Sequence, residues 1–135
     1  MPVSGIDHVN ILTDDLEATA SFYERLLGLT RSENPAIRSG IAGYWLRDAE
    51  GMPIIHLVDR LSASERYEGY RPGSSTNALH HVALRCDDFV EMKARVEAMG
   101  LEHRVNDLSR MGVMQIFLSD PNAVNLELNF HKVSA

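Results

Sequence analysis

The chain has 135 residues, 44% of them hydrophobic, and a formal net charge of −6. This length is typical of a single domain, with enough apolar residues for a core. The negative charge and the lack of adjacent basic residues argue against nucleic acid or an anionic membrane as a partner. No apolar run approaches the roughly 20 residues that span a bilayer. The single cysteine, Cys86, cannot form an internal disulfide, so a cytoplasmic location is expected.

The beginning of the chain is repeated in its second half. Residues 5–29 align with residues 78–101, so that His8 corresponds to His81 (81 − 8 = 73). The Asp-Asp pair that follows each histidine recurs at the same offset, and a Gly-Leu pair closes both segments. Two copies with a period this long indicate a duplicated module rather than a solenoid.

Each copy is predicted to fold as a strand, a helix and three further strands. The Asp-Asp pairs are typical helix N-caps, and Gly28 and Gly100 are typical C-terminal stops. In chain order, the first copy has a strand at 6–12, a helix ending at Gly28 and strands at about 29–34, 41–48 and 53–58. The second copy has a strand at 79–85, a helix ending at Gly100 and strands at about 101–106, 112–119 and 123–129. The fold class is therefore α+β: one domain, 1–135, of two tandem βαβββ modules (about 1–58 and 78–131) and a connector at about 59–77.

Four short strands each carry one potential metal ligand: His8, His56, His81 and Glu127. Because side chains alternate between the two faces of a strand, the neighbours of each ligand, such as Leu126 and Leu128, form an apolar face that packs under the helices. The ligands then share a mixed, polar face that lines a partly hydrated cavity. A register error of one residue would reverse this assignment.

Three imidazoles and one carboxylate are a common ligand set for a catalytic divalent ion. This set suits Zn, Ni, Co, Mn or Fe(II), and ligand type does not choose among these metals. The alternative is that each residue is an ordinary half-buried polar side chain. Glu127 argues against that alternative, because a carboxylate between two leucines is costly to bury without a partner.

Other residues have weaker functional interpretations. Arg85 could bind a substrate anion or form a surface salt bridge, and Asn10 and Asn129 could orient substrate or hydrate the cavity. Cys86 falls near a helix start, which could lower its thiol pKa, although a small core residue is the favoured interpretation. Of Tyr44 and Trp45, only one can face the cavity.

The segments HVNILTDDLEATASFYERLLGL, IIHLV, LHHVAL and QIFLSDPNAVNLELNF together resemble the vicinal oxygen chelate superfamily. This superfamily includes glyoxalase I, type I extradiol dioxygenases, fosfomycin resistance enzymes and bleomycin-binding proteins. The resemblance implies a cup-shaped mixed β-sheet with helices on its outer face, around a metal chelated by two oxygens of a small substrate. His8, His81 and Glu127 match ligand positions of the superfamily. His56 matches the remaining one, which is usually a glutamate in glyoxalase I.

The resemblance leaves three activities open. The favoured one is a glyoxalase-like lyase or isomerase in which Glu127 or His56 moves a proton, although a histidine at position 56 counts against ordinary glyoxalase I activity. The second is an Fe(II) extradiol dioxygenase on His8, His81 and Glu127, although Phe117 stands where those enzymes have a tyrosine. The third is a non-catalytic drug-binding resistance protein. A fosfomycin enzyme is weakly supported, since Asn10 replaces its threonine. A homodimer is also implied.

Overall fold

A computed structural model of the chain describes residues 2–35 and 40–133. The chain divides into two compact units, Met1–Pro72 and Gly73–Ala135. Within the described residues, each unit contains one α-helix and one four-stranded mixed sheet, and this confirms the predicted βαβββ modules. In the described ranges, no helix is both long enough and apolar enough to cross a bilayer.

The first unit consists of β1 (Val9–Thr13), α1 (Leu16–Leu27), β2 (Thr30–Glu33), β3 (Gly43–Arg47) and β4 (Pro53–Asp59). Its strand order is β1-β4-β3-β2, with β1 parallel to β4 and the other neighbours antiparallel. The side chain of Asp15 accepts a hydrogen bond from the backbone N–H of Ala18, so this residue caps α1 as predicted. A short 3-10 helix, Arg60–Ala63, follows β4 in the segment predicted as a connector.

The second unit repeats this arrangement with β5 (Val82–Cys86), α2 (Phe89–Ala98), β6 (Arg104–Leu108), β7 (Val113–Ser119) and β8 (Asn125–His131). Its strand order is β5-β8-β7-β6, with β5 parallel to β8. Asp88 caps α2 by accepting a hydrogen bond from the N–H of Glu91. A short 3-10 helix, Ser109–Met111, joins β6 to β7.

The first strand of each unit begins three residues later than predicted. Ile6 and Leu79, which suggested earlier starts, are 90% and 63% exposed. The pairing of β1 begins at Val9 opposite Ile55, and that of β5 begins at Val82 opposite Leu126. As a result, His8 and His81 each lie one residue before a strand rather than within it.

Alternating residues of β4 and β8 form the buried faces of the two sheets. Leu57 and Leu128 are 0% exposed. In β4 the apolar partner of Leu57 is Ile55, and in β8 the partners of Leu128 are Leu126 and Phe130. The ligand-bearing face is partly accessible, as predicted, with one exception: Val58, which lies two residues from His56 and so on the same face of β4, is buried. The register of both strands is therefore the one that places His56 and Glu127 opposite the core.

A charged cluster links α1 to the sheet of the first unit. The guanidinium of Arg31 on β2 lies 2.7 Å from a carboxylate oxygen of Glu17 and 2.6 Å from one of Glu24, both on α1. Tyr44 donates its hydroxyl proton to Glu17, and the Arg31 guanidinium lies over its ring. The hydrogen bonds from Tyr44 and then Arg31 lower the pKa of Glu17.

Candidate metal site

His8 and His56 lie together in the first unit. In the register of the sheet, His56 has Asn10 of β1 on one side and Trp45 of β3 on the other. The His56 ring stacks on the His8 ring, with 3.6 Å between centroids, and on the Trp45 ring at 4.6 Å. His8 directly precedes β1, and Trp45 lies on β3. Since β1 and β3 flank β4 on opposite sides, the His56 ring lies between the His8 and Trp45 rings. Trp45, not Tyr44, therefore occupies the face that carries the predicted ligands.

The hydrogen bonds of both histidines leave one ring nitrogen available to a metal. Nε2 of His56 is buried and has no hydrogen-bond partner. The ring also hydrogen-bonds to the backbone of Pro53, which lacks an N–H and can only accept. Nδ1 of His56 must therefore carry the proton, and Nε2 keeps its lone pair. Nδ1 of His8 lies 2.6 Å from a carboxylate oxygen of Asp7, which can only accept. In the neutral imidazole of His8, Nδ1 therefore carries the proton and Nε2 keeps its lone pair.

The electrostatic surroundings of His56 favour its neutral form. Burial, and then the proximity of His8, lower the pKa of the His56 imidazole. A metal binds the neutral imidazole, so the same surroundings favour a ligand role. Nε2 of His56 keeps its lone pair and has no hydrogen-bond partner, so it can serve as a metal ligand.

His81 and Glu127 lie together in the second unit. Nε2 of His81 is 3.9 Å from Oε1 of Glu127, and the carboxylate side chain is only 16% exposed. This distance is too long for a hydrogen bond. Two atoms that each lie about 2.1 Å from one ion are at most about 4.2 Å apart. The observed separation is within that limit, so the two atoms are close enough to bind the same ion.

The other oxygen of Glu127 ends a series of side-chain hydrogen bonds. Asn129 donates to Oε2 of Glu127 over 2.9 Å, Gln115 donates to Asn129 over 3.0 Å, and Asn106 donates to Gln115 over 2.7 Å. The sequence did not single out Gln115 or Asn106. Their strand positions could have indicated them, because Gln115 lies two residues from Phe117, which is opposite Glu127 in the register.

The structure also places the remaining predicted site residues. Asn10 and Arg85 are exposed, Asn10 opposite His56 and Arg85 opposite Asn129 in the parallel strand pairs. Burial, and then the charge of Asp87, raise the pKa of the Cys86 thiol to about 11. Cys86 is thus a protonated, partly buried side chain rather than a reactive thiolate.

The four predicted ligands occur as two pairs, one in each unit. Among the residues that the structure describes, no group of three or more His, Cys, Asp or Glu side chains is placed to hold a metal ion. In the second unit a depression of about 360 Å³ lies beside His81. Its lining includes Arg104, whose guanidinium lies over the ring of Phe117 with 4.4 Å to the centroid.

Known proteins that resemble this chain include a lyase and a fosfomycin resistance protein whose crystal structure contains Mn(II). Glyoxylase I 4 from Arabidopsis thaliana is 25% identical over 129 residues, which are 93% of this chain and 70% of that protein. A lactoylglutathione lyase from Agrobacterium tumefaciens has a TM-score of 0.64 at 21% identity, covering 98% of this chain and 97% of its own. A mutant of the fosfomycin resistance protein FosX from Listeria monocytogenes, complexed with Mn(II) and 1S,2S-dihydroxypropylphosphonic acid, has a TM-score of 0.70 at 16% identity, covering 98% and 94%.

The family model described as the glyoxalase/bleomycin resistance protein/dioxygenase superfamily matches residues 5–128. This match spans both units and includes His8, His56, His81 and Glu127. The chain therefore belongs to the glyoxalase/bleomycin resistance protein/dioxygenase superfamily.

Proposed function

We propose that this protein is a divalent-metal-dependent enzyme of the glyoxalase type, a lyase or isomerase for a small substrate with two adjacent oxygens. The observation that carries this proposal is Nε2 of His56, which is buried without a hydrogen-bond partner on the face opposite the core. Such a nitrogen is costly in a purely structural role, since a buried polar atom normally has a partner. A bound metal ion would supply that partner.

The proposed ligands are Nε2 of His8, Nε2 of His56, His81 and a carboxylate oxygen of Glu127. We propose that these four donors bind one ion. Three nitrogens and one oxygen suit Zn, Ni, Co, Mn or Fe(II). When bound, such an ion would polarise the two adjacent substrate oxygens and make the neighbouring C–H more acidic.

The chain's own side chains would move the proton and hold the substrate. Oε2 of Glu127 is engaged by Asn129, so Oε1 is the oxygen that would accept a proton from a substrate carbon and return it to the adjacent carbon, after leaving the metal. Nε2 of His56 is the alternative proton acceptor, if it leaves the metal during the reaction. Arg85 would bind an anionic group of the substrate, and Asn10 and Asn129 would orient its oxygens.

Metal analysis tests this proposal most economically. We expect the purified protein to contain close to one divalent ion per chain and the His56→Ala variant to lose it. His131→Ala is a matched control, because His131 lies on β8 and is exposed. Full metal content in His56→Ala, or equal loss in both variants, would contradict the ligand assignment.

Three further measurements separate the alternative activities. Turnover of lactoylglutathione, or of another small substrate with adjacent oxygens, without oxygen uptake would support a lyase or isomerase. Fe(II) content with oxygen uptake on a catechol would instead indicate a dioxygenase. Tight binding of a planar drug by protein without metal would indicate a resistance protein.

We also propose that the protein acts as a homodimer in the cytoplasm. Light scattering coupled to size-exclusion chromatography should give about twice the 15.1 kDa chain mass. Cell fractionation should recover the protein with cytoplasmic markers. A monomeric mass or recovery in another fraction would contradict the corresponding proposal.

A further inference from the structure

We propose that Asn106, Gln115 and Asn129 form a polarised chain of side-chain amides that fixes the Glu127 carboxylate and leaves Oε1 as its only metal-binding oxygen. These three are positioning residues, since they act through Glu127. The metal part of this inference rests on the proposed function, in which Glu127 is a ligand.

The amide chain crosses three neighbouring strands of the second unit. Asn106 on β6 is opposite Gln115 on β7, and Gln115 is opposite Asn129 on β8. Asn129 and Glu127 are two residues apart on β8 and so project from the same face. The four side chains therefore form one row, with donor–acceptor distances of 2.7, 3.0 and 2.9 Å. All three are ordinary hydrogen-bond lengths.

The carboxylate at the end of this row sets the orientation of every amide. An ionised carboxylate only accepts, so Asn129 must present its NH2 group to Glu127. Its carbonyl oxygen then faces Gln115, which must donate its own NH2 group. The oxygen of Gln115 in turn faces Asn106, which donates. One charged group thus orders three amides that could otherwise take either orientation.

The equivalent row is missing from the first unit. Phe117 is opposite Glu127, as Trp45 is opposite His56. The positions that correspond to Gln115 and Asn129 are then Gly43 and Val58, which are opposite each other in the first sheet. Neither has a side chain that can hydrogen-bond. The amide row therefore accompanies the carboxylate ligand and is not a general feature of this module.

The amide row restricts how Glu127 can bind an ion. Asn129 occupies Oε2, whereas Oε1 faces Nε2 of His81 at 3.9 Å. Rotating the carboxylate to present both oxygens to an ion would break the bond from Asn129 and remove the acceptor that sets the orientation of the amides. The row thus holds Glu127 as a ligand through a single oxygen.

Two substitutions at Gln115 test this inference by different means. Gln115→Met removes both hydrogen bonds with little change in size. Gln115→Glu keeps the acceptor for Asn106 but removes the donor, so Asn129 must flip and turn its oxygen toward Glu127. We expect about 10- to 100-fold weaker Zn(II) binding by calorimetry for Gln115→Met, and a loss at least as large for Gln115→Glu. Val113→Ala, on the same face of the same strand, should bind within about twofold of the wild type.

A second measurement uses the metal-free protein and is independent of the proposed function. Glu127→Gln should shift the side-chain NH2 signals of Asn129, Gln115 and Asn106 in nitrogen-15 NMR spectra, with an effect that declines along the row. If the wild type binds no Zn(II), the metal proposal fails, and the NMR shifts alone decide whether the row exists. Unchanged signals of Gln115 and Asn106, or wild-type Zn(II) affinity in folded Gln115→Met, would overturn the inference.

Discussion

Gly43→Ala is expected to destabilise the protein although alanine normally suits a strand better than glycine. Gly43 is a buried residue of β3 opposite Val58 of β4. A Cβ atom at this position would lie 2.3 Å from the carbonyl oxygen of Leu57. Since the closest ordinary C···O contacts are about 3.3 Å, the two strands would have to separate by about 1 Å. The obstacle is backbone, so no side-chain rotation can relieve it.

The magnitude follows from two opposing effects. Overpacking of this kind costs about 1–3 kcal/mol. The smaller conformational entropy of the unfolded alanine variant offsets about 0.4–1 kcal/mol of that cost. We therefore expect a net loss of about 1–2 kcal/mol in the free energy of unfolding. With a urea m-value of about 2 kcal/mol/M, the unfolding midpoint would fall by about 0.5–1 M.

Urea unfolding followed by far-ultraviolet circular dichroism measures this change directly. Replacing a strand glycine by alanine at a site with space would stabilise the protein by about 0.5–1 kcal/mol. A decrease in the free energy of unfolding therefore indicates that the Cβ atom has no space at position 43, and an increase indicates that it has space. A Gly43→Ala variant as stable as the wild type, or more stable, would show that β3 and β4 are not as close as the structure places them.

Three further predictions concern the core, the cysteine and the charged cluster. Leu128→Ala should lower the free energy of unfolding by about 2–5 kcal/mol in urea titrations, because Leu128 is 0% exposed, and a loss below about 1 kcal/mol would contradict its placement in the core. Cys86 should react with thiol reagents at pH 8 about 100-fold more slowly in the folded than in the unfolded protein. The reason is that a thiol pKa of about 11 rather than 9.0 reduces the thiolate fraction by that factor. Equal reaction rates in the two states would refute the burial of Cys86. The lowered pKa of Glu17 gives stability that is present above its unfolded value of 4.5 and is lost as the pH falls through the folded value. Tyr44→Phe should raise that pKa in a carbon-13 NMR titration and make the acid-induced loss of stability shallower, and an unchanged Glu17 titration would exclude the hydrogen bond.

The local features of the fold could be predicted from the sequence because they depend on residues near each other in the chain. Asp15 and Asp88 cap their helices through N–H groups three residues away. The alternation of apolar and polar residues around His56 and Glu127 predicted which face of β4 and β8 is buried. The repeat itself required no structural knowledge, since His8 and His81 are related by a constant offset.

Contacts between strands could not be predicted in the same way, because they depend on register. The stacking of Trp45 on His56 and the hydrogen bond from Gln115 to Asn129 need a specific pairing of residues 11 and 14 positions apart (56 − 45 and 129 − 115). Alternation gives the face of each residue but not its partner across the sheet. The strand starts were wrong for the same reason, since pairing with β4 and β8 decides where β1 and β5 begin.

Zn(II) binding by two variants, one altered in each unit, tests the central claim most directly. His8→Ala changes a ligand proposed in the first unit, and Glu127→Gln changes one in the second. If one ion is bound by both pairs, equilibrium dialysis should show about one tightly bound Zn(II) per wild-type chain and almost none in either variant. Retention of tight binding by either variant would contradict the assignment of these four side chains to one ion.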